Sequence, residues 1–156
     1  MYFTISEKDA KFFGELLYIE DECSLYFKPN NNNAGVSIMC AAYTSLDTIC
    51  ETREVVHISG LNSQHLWIPR NLKIPKAIKG KLMVHFEEPP LKGTGVDYDR
   101  SWQTFYDEEL RSLCIGNPEI TSIDDTIEFA NGIIAVLREN QLIAIWAKIR
   151  ILEKMA

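Results

Sequence analysis

Hydrophobic and polar positions alternate most clearly in the last third of the chain. Over residues 142–152 the period is two. Ile143, Ile145, Ala147, Ile149 and Ile151 fall on one face, and Leu142, Ala144, Trp146, Lys148, Arg150 and Leu152 on the other. Successive side chains of a strand point to opposite faces, so this run predicts a strand with one apolar and one mixed face. A second apolar run over 132–138 joins it through Glu139-Asn140-Gln141. Asn tolerates left-handed turn geometry, so the two runs predict a hairpin. Residues 126–130 lead into Asn131-Gly132, a pair that favours a type I′ turn, and a three-stranded meander follows. A helix over 124–137 competes, because Ser122 and Asp125 resemble a capping box and Ile127, Ala130, Ile134 and Leu137 share a helical face. An interior Gly132, at about 1 kcal/mol relative to Ala, and the β-branched content favour strands.

Residues 102–106 and 111–115 bracket the polar turn Asp107-Glu108-Glu109 and predict another hairpin, after which Gly116-Asn117-Pro118 breaks the chain. Residues 102–152 therefore predict a five-stranded antiparallel sheet. Upstream, Ser6 is placed to cap a short helix reaching Gly14 through Phe12 and Phe13. Strands are predicted at 16–20, 24–28, 36–43, 53–59, 64–68 and 81–86, and loops at 29–35 and 88–96. The expected fold is a single α+β domain over 1–156, dominated by antiparallel meander sheet with one or two short helices. A subdivision near the 88–96 loop is the alternative. No repeat of solenoid or propeller period is present.

At 156 residues the chain is long enough to bury roughly 70% of its unfolded surface, so its stability needs neither disulfide nor metal. With 46% hydrophobic and 24% charged residues, it is neither disordered nor a coiled coil. Charge enters at Glu7 with no apolar segment after it, so no signal peptide is expected. The uninterrupted apolar run 142–147 is far short of the ~20 residues of a membrane-spanning helix. Cys23, Cys40, Cys50 and Cys114 are widely scattered and are expected to be reduced thiols. These features predict a cytoplasmic protein without membrane contact.

Candidate chemistry is sparse. A zinc site wants closely spaced ligand pairs, whereas Cys40 and Cys50 are separated by nine residues and His57 and His65 by seven. Asp97, Asp99, Ser101 and Glu108 match four positions of a calcium loop, but Trp102 stands where that loop requires Gly. Gly60-Leu61-Asn62-Ser63 lacks the geometry of a nucleophile elbow, and Cys114 lies in an apolar strand where a thiol is inert. No cofactor and no catalytic residue are predicted.

Charge is more informative. The net charge is −6, and a whole-molecule affinity for nucleic acid usually needs a basic face. Arg70, Lys73, Lys76, Lys79 and Lys81 form an acid-free basic run, but it lacks interleaved aromatics, so direct nucleic-acid contact is not expected. From Glu87 to Glu128 eleven acids face three bases, and Glu20-Asp21-Glu22 is a second acidic knot. Acids around aromatic anchors suit a partner rich in Lys and Arg. The candidate partner-binding residues are Tyr98, Trp102, Asp107, Glu108, Glu109, Asp124 and Asp125, with Tyr106 and Trp146 as further aromatics.

Trp102-Gln103-Thr104-Phe105-Tyr106-Asp107, Leu113-Cys114-Ile115-Gly116-Asn117-Pro118, the segment 127–137 and Leu142-Ile143-Ala144-Ile145-Trp146 carry a resemblance. Over roughly a third of the chain, residues 100–150, it resembles small cytoplasmic immunity proteins of bacterial contact-dependent growth inhibition and polymorphic toxin systems. Such proteins share no catalytic motif, so the resemblance transfers no residue role. It implies a non-enzymatic inhibitor that binds one cognate toxin domain, and many such toxins are nucleases with basic clefts. Two other readings stand beside it: a small-molecule-binding β domain, and an enzyme with a dispersed site built on His57 or His85 and a carboxylate.

Overall fold

The computed structural model describes residues 1–7, 14–29 and 35–155. Its fifteen strands are β1 (Tyr2–Ser6), β2 (Glu15–Ile19), β3 (Ser24–Lys28), β4 (Ser37–Cys40), β5 (Thr44–Thr48), β6 (Glu54–Leu61), β7 (Ile68–Pro69), β8 (Ile78–Lys79), β9 (Lys81–His85), β10 (Gly95–Asp99), β11 (Thr104–Asp107), β12 (Ser112–Gly116), β13 (Asp125–Ala130), β14 (Ile133–Arg138) and β15 (Gln141–Leu152). The fold is dominated by β-sheet. Among the described residues, helix is confined to the 3-10 turns Glu20–Glu22 and Gln64–Leu66. The helix expected over 6–14 falls largely outside the described residues.

The predicted C-terminal sheet forms with strand order β11-β12-β15-β14-β13, every neighbour antiparallel. Only β13, β14 and β15 follow one another as a meander, because the chain crosses from β12 to the far edge before β13. Glu139 and Asn140 both take positive φ, 52° and 63°, as a tight hairpin turn requires. At the other turn only Gly132 does, at 73°, and the pairing slips between Glu128 and Ala130. The predicted type I′ turn at Asn131-Gly132 is therefore replaced by an irregular one.

Two apolar faces result. Leu113, Ile115, Ile127, Phe129, Ile133, Ala135, Leu137, Ile145, Ala147 and Ile149 point into the main core, alongside Phe3, Tyr18, Phe27, Ile38, Leu46 and Leu82 from the N-terminal half. Cys114, Ile134, Val136, Ala144 and Trp146 point the other way, into a second cluster with Leu72. A register shift between Val136 and Leu137 changes the phase of β15 at its start. Leu142 therefore faces the main core while Ile143 packs on the outer cluster, the reverse of strict alternation.

The N-terminal half adds the order β10-β4-β5-β6-β3-β2, and β2 pairs in parallel with the last four residues of β15. Further N–H groups donate to carbonyls across the molecule: Phe3 to Asn140 at 2.9 Å and Gly80 to Glu128 at 3.1 Å. Two predicted strands are revised. The one expected over 36–43 ends at Cys40, where Ala41 and Ala42 take positive φ and donate to the carbonyls of Asp99 and Arg100. The one expected over 64–68 is a 3-10 turn leading to the two-residue β7, where Pro69 lacks the N–H to continue a ladder.

Between β7 and β8 the chain forms a strap over the outer face of the C-terminal sheet. β7 pairs with β11 at one edge and β8 with β13 at the other, both in parallel. Crossing seven strands at ~4.8 Å spacing needs roughly 29 Å, and the nine steps from Pro69 to Ile78 reach roughly 30 Å when extended. The strap is therefore nearly taut. Leu72, 8% exposed, is its apolar anchor, while Lys73, Lys76 and Lys79 point to solvent. Leu72→Ala is expected to lower stability by about 2–4 kcal/mol. Urea unfolding of the purified chain measures this, and a loss under 1 kcal/mol would show that the strap is not held by this contact.

Candidate functional site

The β7–β11 edge carries two adjoining hollows. Ile68 pairs with Phe105 and Pro69 with Tyr106. The rings of Trp67 and Tyr106 stand 4.8 Å apart as a partition, Trp67 lining one hollow and Tyr106 the other.

The first hollow, about 680 Å³ and open to solvent, is lined by Pro69, Arg70, Asn71, Tyr106, Asp107, Glu108 and Glu109. Asp107 builds both of its rims. Its Oδ2 accepts the Leu72 N–H of the strap at 2.8 Å, and its Oδ1 accepts the Leu110 N–H of the hairpin turn at 3.1 Å. These backbone donors, Leu72 first, hold the Asp107 carboxyl below the usual range. With Asp107 turned inward, 7% exposed, the turn closes through the Arg111 N–H on the Glu108 carbonyl. Glu108 and Glu109 are left exposed at the tip.

The second hollow is a cleft of about 560 Å³ whose walls include Cys23, Tyr43, Leu61, Leu66, Trp67, Arg100 and Trp102. Buried Asn62 fixes its floor. The Asn62 amide donates to Thr44 Oγ1 (3.1 Å) and Thr104 Oγ1 (2.9 Å), and its carbonyl accepts the Trp67 indole N–H (2.6 Å). Every polar group of that side chain is engaged, so the floor is rigid.

The seven expected partner residues separate into two groups. Trp102 lines the cleft, and Asp107, Glu108 and Glu109 form the hairpin tip beside it. Tyr98 supports Trp102 from behind: the two rings meet edge to face at 5.7 Å, Tyr98 meets Phe3 likewise at 5.6 Å, and its hydroxyl donates to the Leu142 carbonyl at 2.9 Å. Burial pushes its phenol pKa up. Asp124 and Asp125 lie at the opposite edge of the sheet, four strand spacings or roughly 19 Å from β11. Asp125 is exposed there. The Asp124 side chain is wholly covered, held by Arg138 Nε (2.8 Å) and Nη2 (2.9 Å) and by the Thr121 N–H (2.8 Å). It ties the 117–124 loop to β14.

Sequence reasoning did not single out Tyr43, Leu66 or Trp67 as site residues. Their elements meet the C-terminal sheet only through long-range pairing, so no local pattern marks them.

Two of the three histidines, His57 and His85, pack against aromatic rings of the fold. His57 Nδ1 lies 3.1 Å from Asp47 Oδ2 but is not aligned for a hydrogen bond. Its ring is 4% exposed and stacks on Phe27 at 5.3 Å, while Asp47 accepts the Ser59 hydroxyl at 2.6 Å. His85 stacks on Tyr2 at 4.5 Å, its Nε2 lying 2.8 Å from Thr4 Oγ1. Cys40 and Cys114 are buried thiols pushed up to about 12 by desolvation, so neither is a ready nucleophile. No described helix is long and apolar enough to cross a membrane. No protein-family model matches this chain, and no curated protein matches it in sequence.

The Arg138 guanidinium first, then the Thr121 N–H, holds Asp124 at about 2, below the ordinary carboxylate value. A depressed folded-state pKa stabilises the fold fully above the unfolded value of about 3.9 and is lost as pH falls toward 2. Asp107 acts with the same sign. Asp124→Asn is expected to unfold about 2 kcal/mol more easily at pH 7, a charged hydrogen-bonded pair being worth that much. The gap from wild type should narrow as pH falls below about 4 and close only near pH 2 in urea melts. A gap independent of pH would contradict the assignment.

Proposed function

We propose that this chain is an immunity protein, a cytoplasmic non-enzymatic inhibitor that binds a cognate bacterial toxin domain and occludes its active site. The observation that carries the reading is the hairpin tip. One inward carboxylate, Asp107, fixes both the turn and the strap, so the exposed Glu108 and Glu109 are presented from a rigid base beside an open hollow. A backbone that is already fixed loses little freedom on binding, which is how preorganisation raises affinity. Long acidic side chains at such an edge complement the Lys and Arg that line a cleft for phosphate substrates, and they speed encounter with it. The resemblance of residues 100–150 to immunity proteins points to the same role, with a basic toxin, such as a nuclease, as partner. Affinity in such complexes can be extreme; colicin DNase–immunity pairs are among the tightest known.

The test takes as candidate toxin the C-terminal domain of an exported protein from an open reading frame adjacent to that of this chain; adjacent frames that encode no exported protein count against the proposal. Co-expression with that domain is expected to restore growth, and calorimetry to give a Kd below about 10 nM. Glu108→Lys with Glu109→Lys is expected to weaken binding at least a hundredfold while changing stability by no more than about 0.5 kcal/mol, since both side chains are exposed. Growth arrest undiminished by the wild-type chain, with no heat of binding, would refute the proposal.

A further inference from the structure

Of the large apolar side chains exposed among the described residues, three gather around the cleft, whereas Leu91, Ile123 and Ile78 are exposed elsewhere on the surface. Tyr43 is 62% exposed, Leu61 52% and Leu66 79%, and all three line it. Bulky apolar groups left in water around a concave, rigid floor mark a place where a partner's side chain is desolvated. Trp67 and Trp102 supply aromatic walls whose orientation is already fixed, Trp67 by Asn62 and by a tilted ring contact with Tyr18 at 4.6 Å, Trp102 by Tyr98.

The charges around this apolar patch have one predominant sign. Glu20, Asp21 and Glu22 directly precede Cys23 of the cleft wall. The Gln64 amide donates to the Glu20 carboxylate at 3.3 Å, tying the acidic knot to the turn that carries Leu66. Ser24, just after the knot, pairs with Leu61. On the other side stand Asp97 and Asp99. Arg100, the cation there, is engaged by Asp97 at 2.7 Å, and it lies 5.8 Å over the Tyr43 ring. His65 is exposed on the 64–66 turn. Asp21 and Glu22 have no ion-pair partner among the described residues.

We infer that the cleft walled by Tyr43, Leu61, Leu66, Trp67 and Trp102 is an anchor pocket for one bulky apolar side chain carried on a Lys/Arg-rich segment of a protein partner. The apolar walls supply binding energy and the acidic surround selects the flanking charge. A polyanion such as RNA is repelled by the same acids. This inference rests on the reading of the chain as a protein that docks a basic partner, and it names the feature of that partner which enters the cleft.

The test is a titration of the full-length chain, followed by NMR, with three capped heptapeptides. One has a central Trp flanked by three Lys or Arg on each side, one replaces the Trp by Ala, and one replaces the flanks by Glu. Free indole is the fourth probe. The basic Trp peptide is expected to bind at least tenfold more tightly than either control peptide, shifting the resonances of Leu61, Leu66 and the Trp102 indole. Leu61→Ser with Leu66→Ser, both on the surface, should weaken it at least tenfold without unfolding the chain. Equal binding of all peptides, shifts confined to another surface, or saturation by indole as tight as by the basic peptide would overturn the inference, the last assigning the cleft to a neutral small ligand. Failure here with growth rescue intact removes only the anchor, whereas peptide binding without rescue removes only the toxin reading.

Discussion

β15 pairs with β12 and β14 along most of its length and then exchanges them for β2 over residues 149–152. That exchange joins the two halves of the sheet, and it requires side chains that are apolar on both faces. Ile145, Ala147 and Ile149 seal the main core while Ala144 and Trp146 seal the outer cluster. A sheet buried on both faces needs a cover for the second one. The strap between β7 and β8 supplies it, and the strap in turn must be fixed at its ends. Arg70 N–H donates to the Tyr106 carbonyl at one end, and the Thr126 hydroxyl donates to the Lys76 carbonyl at the other. Covering β15 therefore places the basic run on the outside of the molecule and brings β7 alongside β11.

The acids divide by what they touch. Asp107 and Asp124 are turned inward, each accepting hydrogen bonds that hold a surface segment to the sheet, so their charge is spent within the fold. Glu108 and Glu109, next to Asp107, keep theirs exposed. The same division gives the proposed docking edge its rigidity: inward acids set the backbone and outward acids are left at the surface. Asn62 does for the cleft what Asp107 does for the hollow, a single polar side chain satisfied on every side and fixing the walls around it.

The C-terminal sheet was legible because its strands are consecutive or nearly so and alternate with period two. The reversal at Leu142 and Ile143 was not, since a bulge leaves no trace in an all-apolar run. β5 went unread because Thr44, Ser45 and Thr48 look like loop residues. They are nonetheless buried, with Thr44 donating to the Leu61 carbonyl and Thr48 exchanging hydrogen bonds with Val36. Of the site, Trp102 and the 107–109 turn could be found from aromatic and acidic content. Asp125 could not be excluded from it without the strand order, which places β13 far from β11. Trp67 enters through a parallel pairing of two residues, too short to impose any periodicity.

Hydrogen–deuterium exchange of this chain, alone and saturated with the candidate toxin domain from an adjacent open reading frame, tests the central claim most directly. The account predicts slowed exchange over residues 61–72 and 104–111, the two segments that build the cleft and the acidic hollow, with β1 and β9 unchanged. Protection confined to β1 and β9, or exchange unaltered by the toxin domain, would contradict it.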